Sequence, residues 1–227
     1  MLPYLHHLFE SMTISERFNR TIEYFQKIFP LAGTELKYGS PFELLVAVIL
    51  SAQCTDKRVN IITPPLIERY PDAESMSKAE PEDIFKYIKS CTYPNNKAKH
   101  LAGMTRMLVS EFGGTVPSEP LLLQRLPGVG RKSANVVASV VYNKPVMAVD
   151  THVFRVSNRI GLVKNAKTPL SVELQLVKYI PVDLIHVAHH WLILHGRYTC
   201  TARNPHCAYC GLSSFCDYYR KSRNKKK

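Results

Sequence analysis

The sequence lacks long apolar runs and is short of acidic residues, and each shortage excludes a class of protein. Its longest uninterrupted apolar stretch, residues 44–50, has seven residues. A membrane-spanning helix needs about 20, so no segment is expected to cross a bilayer. Residues 1–10 have neither the positive leader nor the apolar core of a secretory signal, which makes a cytoplasmic protein the expectation. Strand signals are also scarce. Residues 145–149 form a short candidate without an obvious partner segment. No repeat of solenoid period occurs, and low complexity is confined to the last eight residues. The fold class expected is all-α.

What is abundant is positive charge. Thirty Lys and Arg stand against 18 acidic residues, a formal net charge of +12. A polyanionic partner accounts for that excess, because each phosphate contact releases counterions and strengthens binding. A solubilising surface is the plainer alternative. Part of the excess lies in residues 220–227, read as a basic, disordered tail. The 227 residues suffice for one large domain or two small ones.

Helical signals recur along the chain. Ser40 and Pro41 read as an N-cap and a first-turn proline opening an apolar helix over 42–53. Further helices are expected from 56 to a break at Pro64, then over 66–70, 81–88 and 97–112. A turn over 92–96 precedes the last of these, and Gly113-Gly114 ends it. Others are expected over 121–125, 132–142, 151–159, 170–179 and 184–195. The last carries His186 and His190 four apart but lacks the glutamate of a zinc-binding HExxH helix. With Leu184, Val187, Ala188 and Trp191 as a buried stripe, its histidines read as packing or surface residues.

Between two of these helices lies Leu126-Pro127-Gly128-Val129-Gly130-Arg131-Lys132. Gly128 and Gly130 permit a tight turn with outward-facing amides, and the following helix adds its unpaired N–H groups and positive dipole end. Together they make a helix–hairpin–helix motif suited to a DNA phosphate. The plainer reading is a glycine-rich connector. Lys132 sits at the positive helix end beside Arg131, where an ammonium is disfavoured, as an amine nucleophile requires. From spacing alone a phosphate-binding lysine is the better reading. Asp150, in Ala148-Val149-Asp150-Thr151-His152-Val153-Phe154-Arg155, reads by itself as an N-cap.

Four of the six cysteines, Cys200, Cys207, Cys210 and Cys216, are separated by six, two and five residues, while Cys54 and Cys91 stand apart. Four thiolates in one loop bind zinc or a [4Fe–4S] cluster. Only Cys207 and Cys210 form the CxxC knuckle that zinc sites usually use in pairs.

LPGVGRKSANVVAS, AVDTHVFRVSNR and HHWLILHGRYTCTARNPHC together resemble the endonuclease III family of helix–hairpin–helix DNA glycosylases, over residues 18–218. The lysine directly after GVGR resembles that family rather than the adenine glycosylases. The resemblance implies two helical domains with a DNA cleft between them, one of residues 33–144 and one combining 1–32 with 145–219. It implies base-excision activity on oxidised or ring-saturated pyrimidines such as thymine glycol in duplex DNA. Lys132 would attack C1′ and expel the base, with Asp150 stabilising the sugar cation or deprotonating the lysine. β-Elimination through the Schiff base would then cut the strand.

The resemblance also makes Cys200, Cys207, Cys210 and Cys216 the ligands of a [4Fe–4S] cluster that shapes a basic loop with Arg197, Arg203 and His206. Gln53, in SAQCTD, matches the glutamine that fills the gap left by an extruded base. Tyr93 stands where the family places a leucine wedge, and His152 near the DNA backbone. A monomer in a prokaryotic cytoplasm, associated with the nucleoid, completes the expectation. The rivals are a hydrolytic, mismatch-directed glycosylase of the same fold and a non-catalytic iron–sulfur DNA-binding module.

Overall fold

A computed structural model describes residues 12–224, and expectations for residues 1–10 and 225–227 lie outside that range. Twelve α-helices and no strand occur among the described residues. No helix among them is long and apolar enough to cross a membrane. The contacts divide the chain into two units, Thr34–Lys144 and Met1–Gly33 with Pro145–Lys227.

The unit Thr34–Lys144 is organised around α2, Pro41–Ser51, which is buried on every side from Leu44 to Leu50. The seven-residue apolar run is therefore a core helix, and a helix apolar all round needs neighbours all round. They are α3 (Asp56–Arg69), α6 (Pro94–Phe112) and α8 (Arg131–Tyr142). Ser40 caps α2 as expected, its hydroxyl accepting from the Glu43 amide at 3.2 Å, with Pro41 in the first turn. Two short helices, α4 (Ala73–Ser77) and α5 (Pro81–Ile88), pack on α6, and α7 (Pro120–Leu123) packs on α8.

Two expectations fail here for identifiable reasons. The break at Pro64 does not occur, since α3 runs through Pro64 and Pro65 to Arg69. An interior proline costs about 3 kcal/mol, but these two are exposed, so the carbonyls they leave unpaired lie on the wet side. Val59, Ile62, Thr63 and Leu66 bury the other side. The turn expected over 92–96 is shorter, because Pro94 begins α6 itself. A proline disfavours the right-handed helical region for the residue before it, and Tyr93 lies outside that region, left-handed at φ +54°. At the other end Gly113 is left-handed and the Gly114 amide reaches back to the Leu108 carbonyl at 2.9 Å.

In the other unit, α9 (Thr151–Ile160) packs against α10 (Pro169–Tyr179), α11 (Ile185–Tyr198) and α12 (Asp217–Asn224). The N-terminal helix α1, Ile14–Ile28, puts Phe18 and Phe25 into their core beside Trp191 and Leu192. It opens with a capping box between Thr13 and Glu16. Arg17 of α1 donates to the carbonyls of Ile160 and Phe215 and faces Asp217, fastening this helix to the C-terminal loop. Residues 220–224, expected to be disordered, continue α12 as helix. The buried stripe of α11 also differs. Ile185, Ala188, Trp191 and Leu192 are buried with His189, His190 and His195, while Leu184 and Val187 are only partly so. Burial, reinforced by His189 and His186, lowers the His190 pKa to about 3, so this ring packs as a neutral group.

Candidate nucleic-acid interface and catalytic residues

The hairpin is built as its glycines require. Leu126 to Val129 make a turn closed by the Val129 amide on the Leu126 carbonyl at 3.1 Å, with Pro127 second and Gly128 third at φ +81°. That is the arrangement of a type II turn. A Cβ on Gly128 would stand 2.8 Å from the Cβ of His100, so glycine is required there twice over. Gly130 is different. It caps α8 with ordinary extended backbone, and a Cβ there would meet nothing within 4 Å. Packing among the described residues does not demand a glycine at this exposed position. No capping side chain closes the start of α8, and exposed Arg131 and Lys132 flank its positive end.

Asp150 occupies the start of α9 in another way. Its Oδ1 accepts from the Val153 amide at 2.8 Å, so the carboxylate is an N-cap, half-buried and fixed in direction. His152, on the first turn, meets Arg155 through Nδ1 at 3.2 Å. A guanidinium has no acceptor, so Nδ1 is the accepting atom of this pair. Arg155 also donates to the carbonyls of Gly196 at 2.9 Å and Cys200 at 3.2 Å, tying α9 to the end of α11 and to the cysteine loop. The sequence reading passed over Arg155 as a structural link.

Cys200, Cys207, Cys210 and Cys216 line one pocket together with Ile160, His195 and Leu212. Four thiols around one shared space suit a thiolate-bound metal group. Burial pushes the Cys210 thiol up to about 11 and raises Cys207 and Cys216, so a metal group has to displace protons. Polar groups already face the sulfurs: Arg159 Nη1 donates to Cys200 Sγ at 3.5 Å, and His195 Nε2 lies 3.7 Å from Cys210 Sγ. The buried His195 Nδ1 has no hydrogen-bond partner among the described residues. Arg159 also donates to the Thr201 and Ala202 carbonyls at 2.7 and 2.8 Å, while Arg203 and His206 are exposed on the loop.

Gln53 and Tyr93 both lie exposed on turns of the unit Thr34–Lys144. Gln53 is two residues past the end of α2 and left-handed, φ +54°. Four non-glycine residues have positive φ among those described, and the other two are asparagines, which tolerate it. Held there, a glutamine and a tyrosine mark backbone that the surroundings must enforce.

The comparisons with known proteins agree with this arrangement. Residues 46–182 match the family model described as HhH-GPD superfamily base excision DNA repair protein. The endonuclease III of Rickettsia conorii is 49% identical over 201 residues, covering 88% of this chain and 95% of that one. The endonuclease III of Escherichia coli K12 is 44% identical over 192 residues, covering 85% and 90%. The structure of a trapped endonuclease III–DNA covalent intermediate superposes with a TM-score of 0.88 at 40% identity, over 93% of this chain and all of that one.

Proposed function

The chain belongs to the endonuclease III family, in the HhH-GPD superfamily of base excision DNA repair proteins, and is a DNA glycosylase with AP lyase activity; we propose that Lys132 is its nucleophile and Asp150 its acid–base partner. The observation that carries this reading is the position of Lys132, exposed on the first turn of a helix whose glycine cap and exposed basic flank suit a phosphate. A nucleotide gripped there by its backbone brings C1′ toward the lysine amine. Lys132 Nζ attacks C1′, the base leaves with the bonding electrons, and Asp150 offsets the positive charge that develops on the sugar or accepts the lysine proton. Loss of a proton from Nζ then opens the C1′–O4′ bond, O4′ takes a proton, and the C1′=Nζ Schiff base forms. It acidifies the C2′ proton, whose removal expels the 3′ phosphate oxygen and cuts the strand. The cap bond on Oδ1 keeps the Asp150 carboxylate in one orientation throughout.

Reaching C1′ requires extrusion of the damaged nucleotide, at a cost of a few kcal/mol. We assign Gln53 to the vacated space and Tyr93 to the opposite strand, where an aromatic ring stacks between bases. Gly128, Gly130, Arg131 and the Nε2 face of His152 serve as backbone contacts. We assign Cys200, Cys207, Cys210 and Cys216 to a [4Fe–4S] cluster. The support is four thiols on one pocket, already faced by Arg159 and His195. Such a cluster supplies iron–thiolate bonds that shape the loop, while Arg203 and His206 present charge to phosphate. The substrate is duplex DNA bearing an oxidised or ring-saturated pyrimidine such as thymine glycol. The protein acts where the chromosome lies, in a prokaryotic cytoplasm.

The test is borohydride trapping on a duplex with one thymine glycol. Wild type is expected to give a covalent adduct, and Lys132→Ala none, with strand cleavage falling by at least about a thousandfold, the scale of nucleophile deletions. Base release by wild type without an adduct would replace the lyase by a hydrolytic glycosylase.

A further inference from the structure

Lys97 is a buried lysine, 5% exposed, in the first turn of α6. Its Nζ donates to the Leu50 carbonyl at 2.8 Å, to the Ala52 carbonyl at 2.6 Å and to Cys91 Sγ at 3.2 Å. An ammonium has three N–H donors, and all three are satisfied, which is what keeps so polar a group inside. Leu50 and Ala52 lead directly into Gln53. On the other side, the Lys97 amide bonds the Tyr93 carbonyl at 3.2 Å, and Cys91, itself bonded to the Leu50 carbonyl at 3.4 Å, is two residues before Tyr93. One side chain therefore joins the turn carrying Gln53 to the turn carrying Tyr93. These turns hold the two left-handed residues among those described that are neither glycine nor asparagine. Left-handed backbone at glutamine and tyrosine persists only where the surroundings enforce it; the Lys97 side chain bonds the two carbonyls that lead into Gln53 and reaches the Tyr93 turn through Cys91 Sγ.

We propose that Lys97 is a positioning residue for base extrusion: it locks the Gln53 and Tyr93 turns into one preset pair, so both side chains enter the duplex without first being ordered. The inference rests on the assignment of Gln53 and Tyr93 as inserting residues. It makes extrusion, and not the chemistry on an already accessible sugar, depend on a lysine that touches neither DNA nor reacting atoms.

The test compares two substrates under single turnover with the cluster-loaded, full-length protein. One is a duplex with a single thymine glycol, which must be unstacked. The other is a single strand with an abasic site, which needs no extrusion. Lys97→Met is expected to slow excision from the duplex by about tenfold to a hundredfold, the effect of a small displacement of positioning groups. It should leave cleavage of the single strand within about twofold of wild type. Lys97→Gln keeps one or two donors on a shorter arm and should fall between; it also carries the test if Lys97→Met does not fold. Combining Lys97→Met with Gln53→Ala should give no loss beyond the larger single effect, as for residues acting through one step. Equal losses on both substrates would overturn the proposal in favour of general structural damage, and no loss on either would overturn it outright. Gln53→Ala and Tyr93→Ala separate the two layers of the argument. If they slow duplex excision and Lys97→Met does not, only the positioning role fails. If neither slows it, the insertion assignment fails and the proposal with it.

Discussion

The two helices that carry the proposed catalytic pair begin in opposite ways. Helix α8 starts at Gly130, whose cap makes no side-chain bond and whose α-carbon faces open space. Helix α9 starts at Asp150, whose carboxylate bonds the Val153 amide. The same physics, a cluster of unpaired amides at the positive end of a helix dipole, is left without a side-chain cap in the first case and answered by the chain itself in the second. A helix start left without a side-chain cap is available to a phosphate. A helix start capped by a carboxylate holds that carboxylate in place for chemistry. The difference teaches that an N-cap and a catalytic acid are not competing descriptions of Asp150, because the cap bond uses one oxygen and sets the direction of the other.

The sharpest way to break this comparison is to separate capping from charge at Asp150. Asparagine caps helices as well as aspartate does, so Asp150→Asn is expected to leave thermal unfolding near wild type. Base excision should fall by about 10²- to 10⁴-fold, the usual contribution of a positioned acid or base. Asp150→Ala should lose the same activity and also about 1 kcal/mol of stability. Wild-type turnover in Asp150→Asn would reduce the residue to a cap and leave Lys132 without its partner.

The glycines of the hairpin give the next largest effects, and they divide the same way. Gly128→Ala places a Cβ against His100 at φ +81° and is expected to destabilise the fold by about 1–3 kcal/mol. Gly130→Ala meets nothing within the protein, so its unfolding should move by less than about 1 kcal/mol. Its methyl group obstructs a phosphate, however, and the slope of log K against log salt on undamaged duplex should flatten by about one unit. Equal DNA affinity in Gly130→Ala and wild type would remove the hairpin from the interface.

Much of this was legible in the sequence because it depends on short-range chemistry. Glycine and proline at 127–130 specify a turn, Ser40-Pro41 a helix start, and the six-two-five cysteine spacing one loop around one pocket. The errors arose where tertiary burial overruled a local signal. Pro64 and Pro65 stay in α3 because Val59, Ile62 and Leu66 are buried on its other face. The capping box of Thr13 and Glu16 is a local signal in the sequence, and it opens a helix that buries Phe18 and Phe25. Lys97 carried no local signal, since its three acceptors come from residues 50, 52 and 91. A lysine's burial is a property of the assembled unit.

The smallest effect belongs to an ordinary cap that serves as the reference for both special ones. Helix α10 begins with a capping box in which the Thr168 hydroxyl accepts from the Ser171 amide at 3.1 Å. Thr168 is exposed and has no assigned part in catalysis. Thr168→Ala is expected to cost about 1 kcal/mol in denaturant unfolding and to leave base excision and strand cleavage within about twofold of wild type. If this variant instead lost activity to the extent expected of Asp150→Ala, loss of a cap and the instability that follows would be enough to explain both. If its stability fell while its activity held, the deficit in Asp150→Ala would belong to the missing charge. The two ends of the comparison would then stand apart on measured grounds, with a cap that only folds at α10 and a cap that also reacts at α9.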